Sequence, residues 1–538
     1  MTMKDVQMMT VITAAEMPMA LGERDLKKRM ARLSVAAVDL PAMIAPMTAR
    51  TTALFPIAPA AHPARACLAA FLWCFALGTV AQNLPPEVEA ALQRANVSRE
   101  AVAILVTEVQ SRSSPRLSHR ASTPVNPASV MKLVTTYAAL DLLGPSFSWS
   151  TPVYLDGAVR DGTLNGNLYI KGQGDPKLVS ERLWLLLRRV QGLGIKTING
   201  DIVLDRSAFE TVEVDPSVFD GEPLRPYNAA PDALLINFKS VVMTFVPDRT
   251  NNVAQVQVEP PLAGVQMPAT VPLSNAACND YRGSLRADFS DASQIRLLGS
   301  YPASCGEKVW PVAYADPKSF AVRAVDGMWR EMGGKISGGV REGRLPPNLA
   351  ALKPAFEVAS PTLPEVIRDI NKYSNNVMAQ QLFLTLSLQN KSTNNANGTT
   401  ATLAASRDLL QRWWRSSISD GDIPVFDNGS GLSRSERITA QGLTRLLQTA
   451  YASPLMPELI SSLPITGIDG TLRSSRGKAR GSAHLKTGTL RDVAAIAGYV
   501  LGNSGRRYVV VMVVNQAGAV AARPAMDALV DWVANDRP

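Results

Sequence analysis

Ser129-Val-Met-Lys132 spaces a hydroxyl and an amine so that, on a helix, they share one face a single turn apart. A serine hydroxyl is a weak nucleophile until a base takes its proton. A lysine can be that base once burial or a second cation lowers its pKa and leaves the amine neutral. The neighbours Val130, Met131, Leu133 and Val134 are apolar and fit a partly desolvated setting. Alone the pattern is weak, because Ser475-Arg-Gly-Lys478 repeats it in a basic, glycine-containing stretch without helical character. Ser374-Asn-Asn376 adds a hydroxyl that can relay a proton to a leaving group and an amide that can hold a carbonyl. It too has a counterpart, Ser392-Thr-Asn394, in a polar loop. Lys486-Thr-Gly488 occurs once, at a strand edge. It offers a cation for a carboxylate, a hydroxyl, and a glycine against which an acyl chain can lie. Singly, Ser129 reads equally well as a helix cap, the lysines as solvated surface and 374–376 as a turn. Together, in this order, they point to acyl transfer through a serine.

The elements that must position these groups are legible from periodicity. A helical run spans Pro85 to Ala95, and Val102 to Val109 reads as a half-buried strand. Ser111 to Asn126 is turn-like, and Ser129 to Leu143 is helical with no internal Gly or Pro. From about 150 to 353, short apolar strands separated by Gly, Pro and Asn predict a β-rich insertion in two pieces, with helices near 180–192 and 320–332. Helices return from Thr362 to Leu388, and a later amphipathic helix carries Trp413 and Trp414. The tail predicts a hairpin, Leu485–Leu501 with Arg507–Asn515 turning at Asn503-Ser504-Gly505, and a closing helix from Pro524 to Ala534. The expected fold is an α/β domain, an antiparallel sheet flanked by helices, assembled from 83–150 and 354–538. One inserted domain is expected over 151–248 plus 331–353 and a second over 249–330.

The beginning of the chain reads as an address. Ala66 to Ala81 is an apolar stretch of signal-peptide length, preceded by Arg50 and Arg65 and ending in Thr79-Val80-Ala81. Residues 1–81 are therefore expected to be a leader, with Met47 an alternative start, and the mature protein periplasmic, peripheral to the membrane if associated with it. Export would leave only Cys278 and Cys305, which in an oxidising compartment most simply form one disulfide; the alternative is two free thiols. Of 538 residues, 46% are hydrophobic and 19% charged, an ordinary globular balance. The net charge of +9 is spread along the chain without a Lys/Arg run of nucleic-acid type, though it would suit an anionic polymer. No metal or nucleotide motif is present, so neither a metal nor a cofactor is expected.

Most of the chain after Gln82 resembles the low-molecular-mass class C penicillin-binding proteins, the D-alanyl-D-alanine carboxypeptidase/endopeptidase family. The resemblance rests on Asn126-Pro-Ala-Ser-Val-Met-Lys-Leu133, Gly172-Gln-Gly-Asp-Pro176, Asp205-Arg-Ser-Ala-Phe209 and Tyr227-Asn228. It also rests on Asn428-Gly-Ser-Gly-Leu-Ser-Arg434, Gly467-Ile-Asp-Gly-Thr-Leu-Arg473 and Lys486-Thr-Gly-Thr489. The long stretch between Ser129 and Ser374 fits two domains inserted into a β-lactamase-like core. The resemblance implies that Ser129 is acylated, Lys132 is its base, and Ser374 and Asn376 are the relay and the amide. Lys486 and Thr487 would take a terminal carboxylate, and the N–H groups of Ser129 and Thr489 would form the oxyanion hole. Asp205 matches a position contacting the free amine of a stem-peptide diamino acid, and Arg434 a substrate-side cation. The implied partners are peptidoglycan peptides and β-lactams. Arg491 stands where some relatives have Gln, which leaves side-chain selectivity there open.

Three rivals remain. A Ser-His-Asp hydrolase would have to use His119 or His484 and lacks a Gly-x-Ser-x-Gly elbow. A β-lactamase shares the acylation step but needs no large insertion. A silent wall-binding scaffold would have no reason to keep all three motifs.

Overall fold

The computed structural model describes residues 83–110, 114–211, 215–390 and 400–536. The expected leader (1–81), with Cys67 and Cys74, and the triplet Ser392-Thr-Asn394 lie outside the described residues.

A five-stranded sheet forms the centre of the catalytic part. Its order runs Ala483–Leu490, Val493–Leu501, Arg507–Asn515, Val102–Glu108, Leu117–His119. Val102–Glu108 is antiparallel to Arg507–Asn515, pairing Val102 with Val514 and Glu108 with Tyr508. The sheet is buried on both faces, so its strands read as continuous apolar runs rather than as alternations. In Val102–Glu108, Ala103 and Leu105 face one core while Ile104 and Val106 face the other. The first core holds the helices Lys132–Leu143, Leu363–Lys372, Asn376–Gln389, Leu403–Ser417 and Ala440–Ala452; the second holds Pro86–Arg94 and Arg523–Ala534.

Two sequence expectations change here. Leu485–Leu501 is not one strand but two, reversing at Arg491-Asp492, so the tail is a three-stranded meander. This two-residue turn contains no Gly or Asn, the residues that normally announce a tight hairpin. Within the turn-like 111–126 stretch, Leu117–His119 adds an edge strand through Ile104, Leu105 and Val106.

The insertion leaves the catalytic part through Ser148–Arg160 and returns through Phe356–Thr362, which pair antiparallel in a seven-stranded sheet. A second, five-stranded sheet takes Ser240–Asp248, Val253–Glu259, Thr270–Ser274, Tyr301–Pro302 and Lys308–Ala313. The change of sheet thus falls at Ser240. Both inserted sheets feed one apolar core, in which Val153 and Leu168 of the first join Phe245 and Tyr301 of the second.

Cys278, after the strand Thr270–Ser274, and Cys305, in the 3₁₀ turn Ala303–Cys305, form a disulfide at the margin of the second inserted sheet, with Cα atoms 4.8 Å apart across a sequence separation of 27. Loop-closure entropy sets its contribution on the order of 3 kcal/mol. Replacing both cysteines by serine is expected to lower the thermal midpoint of the inserted region and to leave penicillin acylation unchanged. Calorimetry beside an acylation assay checks this, and an equal loss of acylation would contradict it.

Candidate active site

Ser129 lies in the short 3₁₀ turn Ala128–Met131 that runs directly into the helix Lys132–Leu143. That continuity brings Lys132 Nζ to 3.0 Å from Ser129 Oγ. The amine is fully buried and also donates to Asn376 Oδ1 at 2.6 Å and to the carbonyl of Ser430. Burial, reinforced by the Lys486 ammonium, holds the Lys132 amine well below the usual lysine range, while Glu436 opposes the shift. A buried amine whose pKa is depressed, set against a serine hydroxyl, is the arrangement a general base requires.

Ser374 joins the helices Leu363–Lys372 and Asn376–Gln389 in a left-handed conformation, with φ 58°. A non-glycine residue held there costs on the order of 1 kcal/mol, a burden that concentrates at functional sites. The bend turns Ser374 Oγ toward Lys486 Nζ, which donates to it at 2.9 Å. It also starts the next helix at Asn376, whose amide reaches Lys132. Lys486 is fully buried, donates as well to the carbonyl of Thr487 at 2.8 Å, and is brought down to about 7 by desolvation. Two serine–lysine pairs therefore stand side by side, close enough for one lysine to act on the other electrostatically, with Ser129 and Ser374 both lining the same opening.

A residue the sequence reading passed over stands behind this cluster. Glu436 is wholly buried, and its Oε1 accepts from the N–H groups of Asp427, Asn428 and Gly429 at 3.2, 3.3 and 3.0 Å. These bonds fix the loop whose Gly429 carbonyl takes the Thr135 hydroxyl and whose Ser430 carbonyl takes Lys132. Burial pushes the Glu436 carboxyl up to about 7 despite the three amides. In the polar run Ser433-Arg-Ser-Glu436-Arg437 it looks solvated, and no local signal marks it.

Two clefts meet at Ser129, Ser374 and Thr489. One, of about 1000 Å³, carries Phe219, Asp220 and Tyr227 of the insertion, with Arg434 and Arg491. The other, of about 700 Å³, follows Thr487 and Gly488 to Thr471, Arg476 and Arg523. Residues 84–536 match the model of the D-Ala-D-Ala carboxypeptidase 3 (S13) family. The chain belongs to this family. It is 28% identical over 70% of its length to a D-alanyl-D-alanine carboxypeptidase of an Actinomadura species, covering 71% of that protein. It is 25% identical to the D-alanyl-D-alanine carboxypeptidase DacB of Haemophilus influenzae, over 74% of this chain and 82% of that one. The crystal structure of penicillin binding protein 4 (dacB) from Haemophilus influenzae shares the fold, with a TM-score of 0.65 and 21% identity. That alignment covers 84% of this chain and 99% of that one. The transpeptidase-like core expected from the strand and helix pattern is thus the fold of this S13 member.

The remaining expected residues divide. Arg434 of this S13 chain is in the larger cleft, 2.8 Å from Asp492 and stacked 4.5 Å from the Phe219 ring. Thr487 exchanges a hydroxyl bond with Thr471 at 2.7 Å, and Thr489 borders both clefts. Gly488, within the strand Ala483–Leu490, lets the segment before the nucleophile lie close against that strand, since a Cβ there would lie 2.6 Å from the Pro127 carbonyl. Asp205 does not reach the cleft. Its carboxylate is buried, with one oxygen accepting from Ser207 N and the other from Leu345 N, each at 2.9 Å. A strand-end Asp capping a turn explains it fully. His484, two residues before Lys486, lines neither cleft, and burial lowers its pKa.

Proposed function

We propose that this S13 protein is an exported serine-type D-Ala-D-Ala carboxypeptidase that also opens D,D cross-links, working through an acyl-enzyme on Ser129 and acylated by penicillin. The observation that carries the reading is the buried Lys132 amine, 3.0 Å from Ser129 Oγ and depressed by burial and by Lys486. Lys132 takes the hydroxyl proton as Ser129 Oγ bonds to the carbonyl carbon, and the N–H groups of Ser129 and Thr489 receive the negative oxygen. The C–N bond then breaks as Ser374, linked to Lys486, gives its hydroxyl proton to the leaving amine and takes in turn the proton held by Lys132, which leaves the Lys132 amine neutral again. Water then adds to the ester carbonyl with Lys132 again taking a proton, the bond from that carbon to Ser129 Oγ breaks, and Lys132 returns the proton to Oγ as the shortened peptide leaves. Lys486 and Thr487 hold the terminal carboxylate of the leaving residue. Export is supported by the apolar stretch Ala66–Ala81 and by the Cys278–Cys305 disulfide, a bond suited to the periplasm. Intact-mass measurement after incubation with benzylpenicillin, followed by mapping of the acylated peptide, tests the reading. A β-lactamase would lose the adduct rapidly, and a silent scaffold would never form one.

The amine-recognising carboxylate, sought at Asp205, is better supplied by Asp220. Asp220 is beside Phe219 in the cleft and accepts from Tyr227 Oη at 2.9 Å and Asn228 Nδ2 at 2.8 Å. Partial burial works to raise its pKa, but the bonds from Asn228 and Tyr227 outweigh it and keep the carboxylate ionised. Asp220→Asn is expected to raise KM about 5-fold for peptides with a free side-chain amine, a change of about 1 kcal/mol, and to spare penicillin acylation. Asp205→Asn should instead lower the melting temperature and affect amine-bearing and amine-lacking peptides alike. Steady-state kinetics on both peptide types decides between the two carboxylates.

A further inference from the structure

Carboxypeptidase chemistry releases a single amino acid, yet the space on the leaving side of Ser129 is about 700 Å³. That cleft is the one bordered by Thr487 and Gly488, whereas the C-terminal end of the same strand, Leu490 and Arg491, opens into the other cleft. Two guanidinium groups, Arg476 and Arg523, line the leaving side. Neither has an ion-pair partner among the described residues. Arg523 is the first residue of the helix Arg523–Ala534, where the helix dipole disfavours a cation, and among the described residues its side chain makes one bond, a long one of 3.5 Å to Thr489 Oγ1. It contributes nothing evident to the fold from that place.

Arg476 is carried by the loop that mimics the catalytic Ser-x-x-Lys pattern, and that loop is anchored. Ser475 Oγ donates to Asp527 Oδ1 at 2.8 Å, and the amides of Lys478 and Ala479 donate to Asp531 at 3.0 and 2.8 Å. Both carboxylates belong to the helix that Arg523 begins. Asp527, the acidic side chain lining this cleft, is thus engaged in holding the loop. The result is a fixed wall, continuous with the nucleophile, on which two arginines without an ion-pair partner among the described residues outnumber the one carboxylate, Asp527.

We propose that this wall is a binding site for the second peptide of a cross-linked pair, recognised through its carboxylates. The inference rests on Ser129 as nucleophile and on the leaving residue lying toward Thr487. When the leaving group is the side-chain amine of another stem peptide, the broken C–N bond frees a whole anionic peptide rather than one residue. That peptide's carboxylates, beyond the one held by Thr487, meet Arg476 and Arg523. Guanidinium groups suit this task, since they remain charged and pair with carboxylates in a bidentate manner.

The test compares a D,D-cross-linked dimeric stem peptide with its monomeric pentapeptide and with benzylpenicillin, using the full chain. Arg476→Ala and Arg523→Ala should each lower kcat/KM for the dimer about 5- to 10-fold, and the double variant about 50-fold. Cleavage of the monomer and penicillin acylation should stay within about 2-fold. Amidating the carboxylates of the second peptide should remove the sensitivity to both variants. Equal losses on dimer and monomer, or an unchanged dimer rate, would overturn the site while the acyl-enzyme reading stood. Failure of the unaltered protein to form a penicillin adduct would instead overturn that reading, and the site with it.

Discussion

Ser129→Ala abolishes the covalent benzylpenicillin adduct and lowers peptide hydrolysis by about 10³-fold or more, while Ser475→Ala leaves the adduct and the carboxypeptidase rate nearly unchanged. The comparison is decisive because both serines head a Ser-x-x-Lys sequence and both border the leaving-side cleft. Their chemical surroundings differ. Ser129 Oγ faces a buried amine 3.0 Å away, in a turn that continues as a helix. Ser475 Oγ donates to the Asp527 carboxylate, and Lys478 is exposed, so no neutral base stands ready beside it. Loss of the Ser129 hydroxyl removes the atom that forms the ester, and the oxyanion donors and bound carboxylate have nothing left to stabilise covalently. Since Ser129 contributes one hydroxyl at a cleft and no apolar packing, its replacement by alanine should leave the melting temperature within a few degrees. Intact-mass spectrometry and peptide mapping read the result. An adduct persisting on Ser129→Ala would remove the catalytic assignment altogether.

The parts of this site that were legible in the sequence are those that depend on short spacing. Ser129 and Lys132 are brought together by one helical turn, and the helix was evident from its periodicity and from the absence of Gly and Pro between Ser129 and Leu143. The strands of the central sheet were legible from the apolar composition of Val102–Val109 and Arg507–Asn515, although Val102–Glu108, expected to be half-buried, is covered on both faces. What escaped depends on contacts between distant segments. The carbonyl that accepts from Lys132 comes from Ser430, and the carboxylate fixing that carbonyl's loop comes from Glu436, in a stretch whose local composition signals solvent exposure. Burial of a glutamate among polar neighbours is decided by where the loop docks, which periodicity does not encode. Asp205 failed for the same reason in reverse. Its strand-end position was legible, but the direction of its carboxylate is set by the amides of Ser207 and Leu345, the latter 140 residues away. Asp220, in a segment without regular pattern, is the insertion's carboxylate lining the larger cleft.

Lys132→Met is expected to cut acylation by penicillin about 10²- to 10⁴-fold, the usual worth of a positioned base, with the protein still folded. Methionine nearly matches the buried aliphatic stem, so the main structural loss is two unpaired acceptors, Asn376 Oδ1 and the Ser430 carbonyl. At about 1–3 kcal/mol each, these weaken the fold without abolishing it. The pH dependence of the unaltered enzyme supplies the sharper test. Lys132 acts as a neutral amine, so activity must fall as pH drops through its lowered pKa and the amine gains a proton. Lys486 acts as a cation, so binding of a carboxylate-terminated peptide must weaken as pH rises through about 7 and the ammonium is lost. The two opposite requirements give a bell-shaped kcat/KM, which reports the free enzyme. In the complex the substrate carboxylate stabilises the Lys486 cation, so the alkaline limb of kcat should move to higher pH. A peptide ending in an amide has no carboxylate for Lys486 to hold. Its kcat/KM should be lower throughout, keep the acid limb set by Lys132, and lose the alkaline one. An alkaline limb of the same position for acid and amide substrates would show that Lys486 does not recognise the terminus, and its charge would then have to act on the proton path through Ser374 instead.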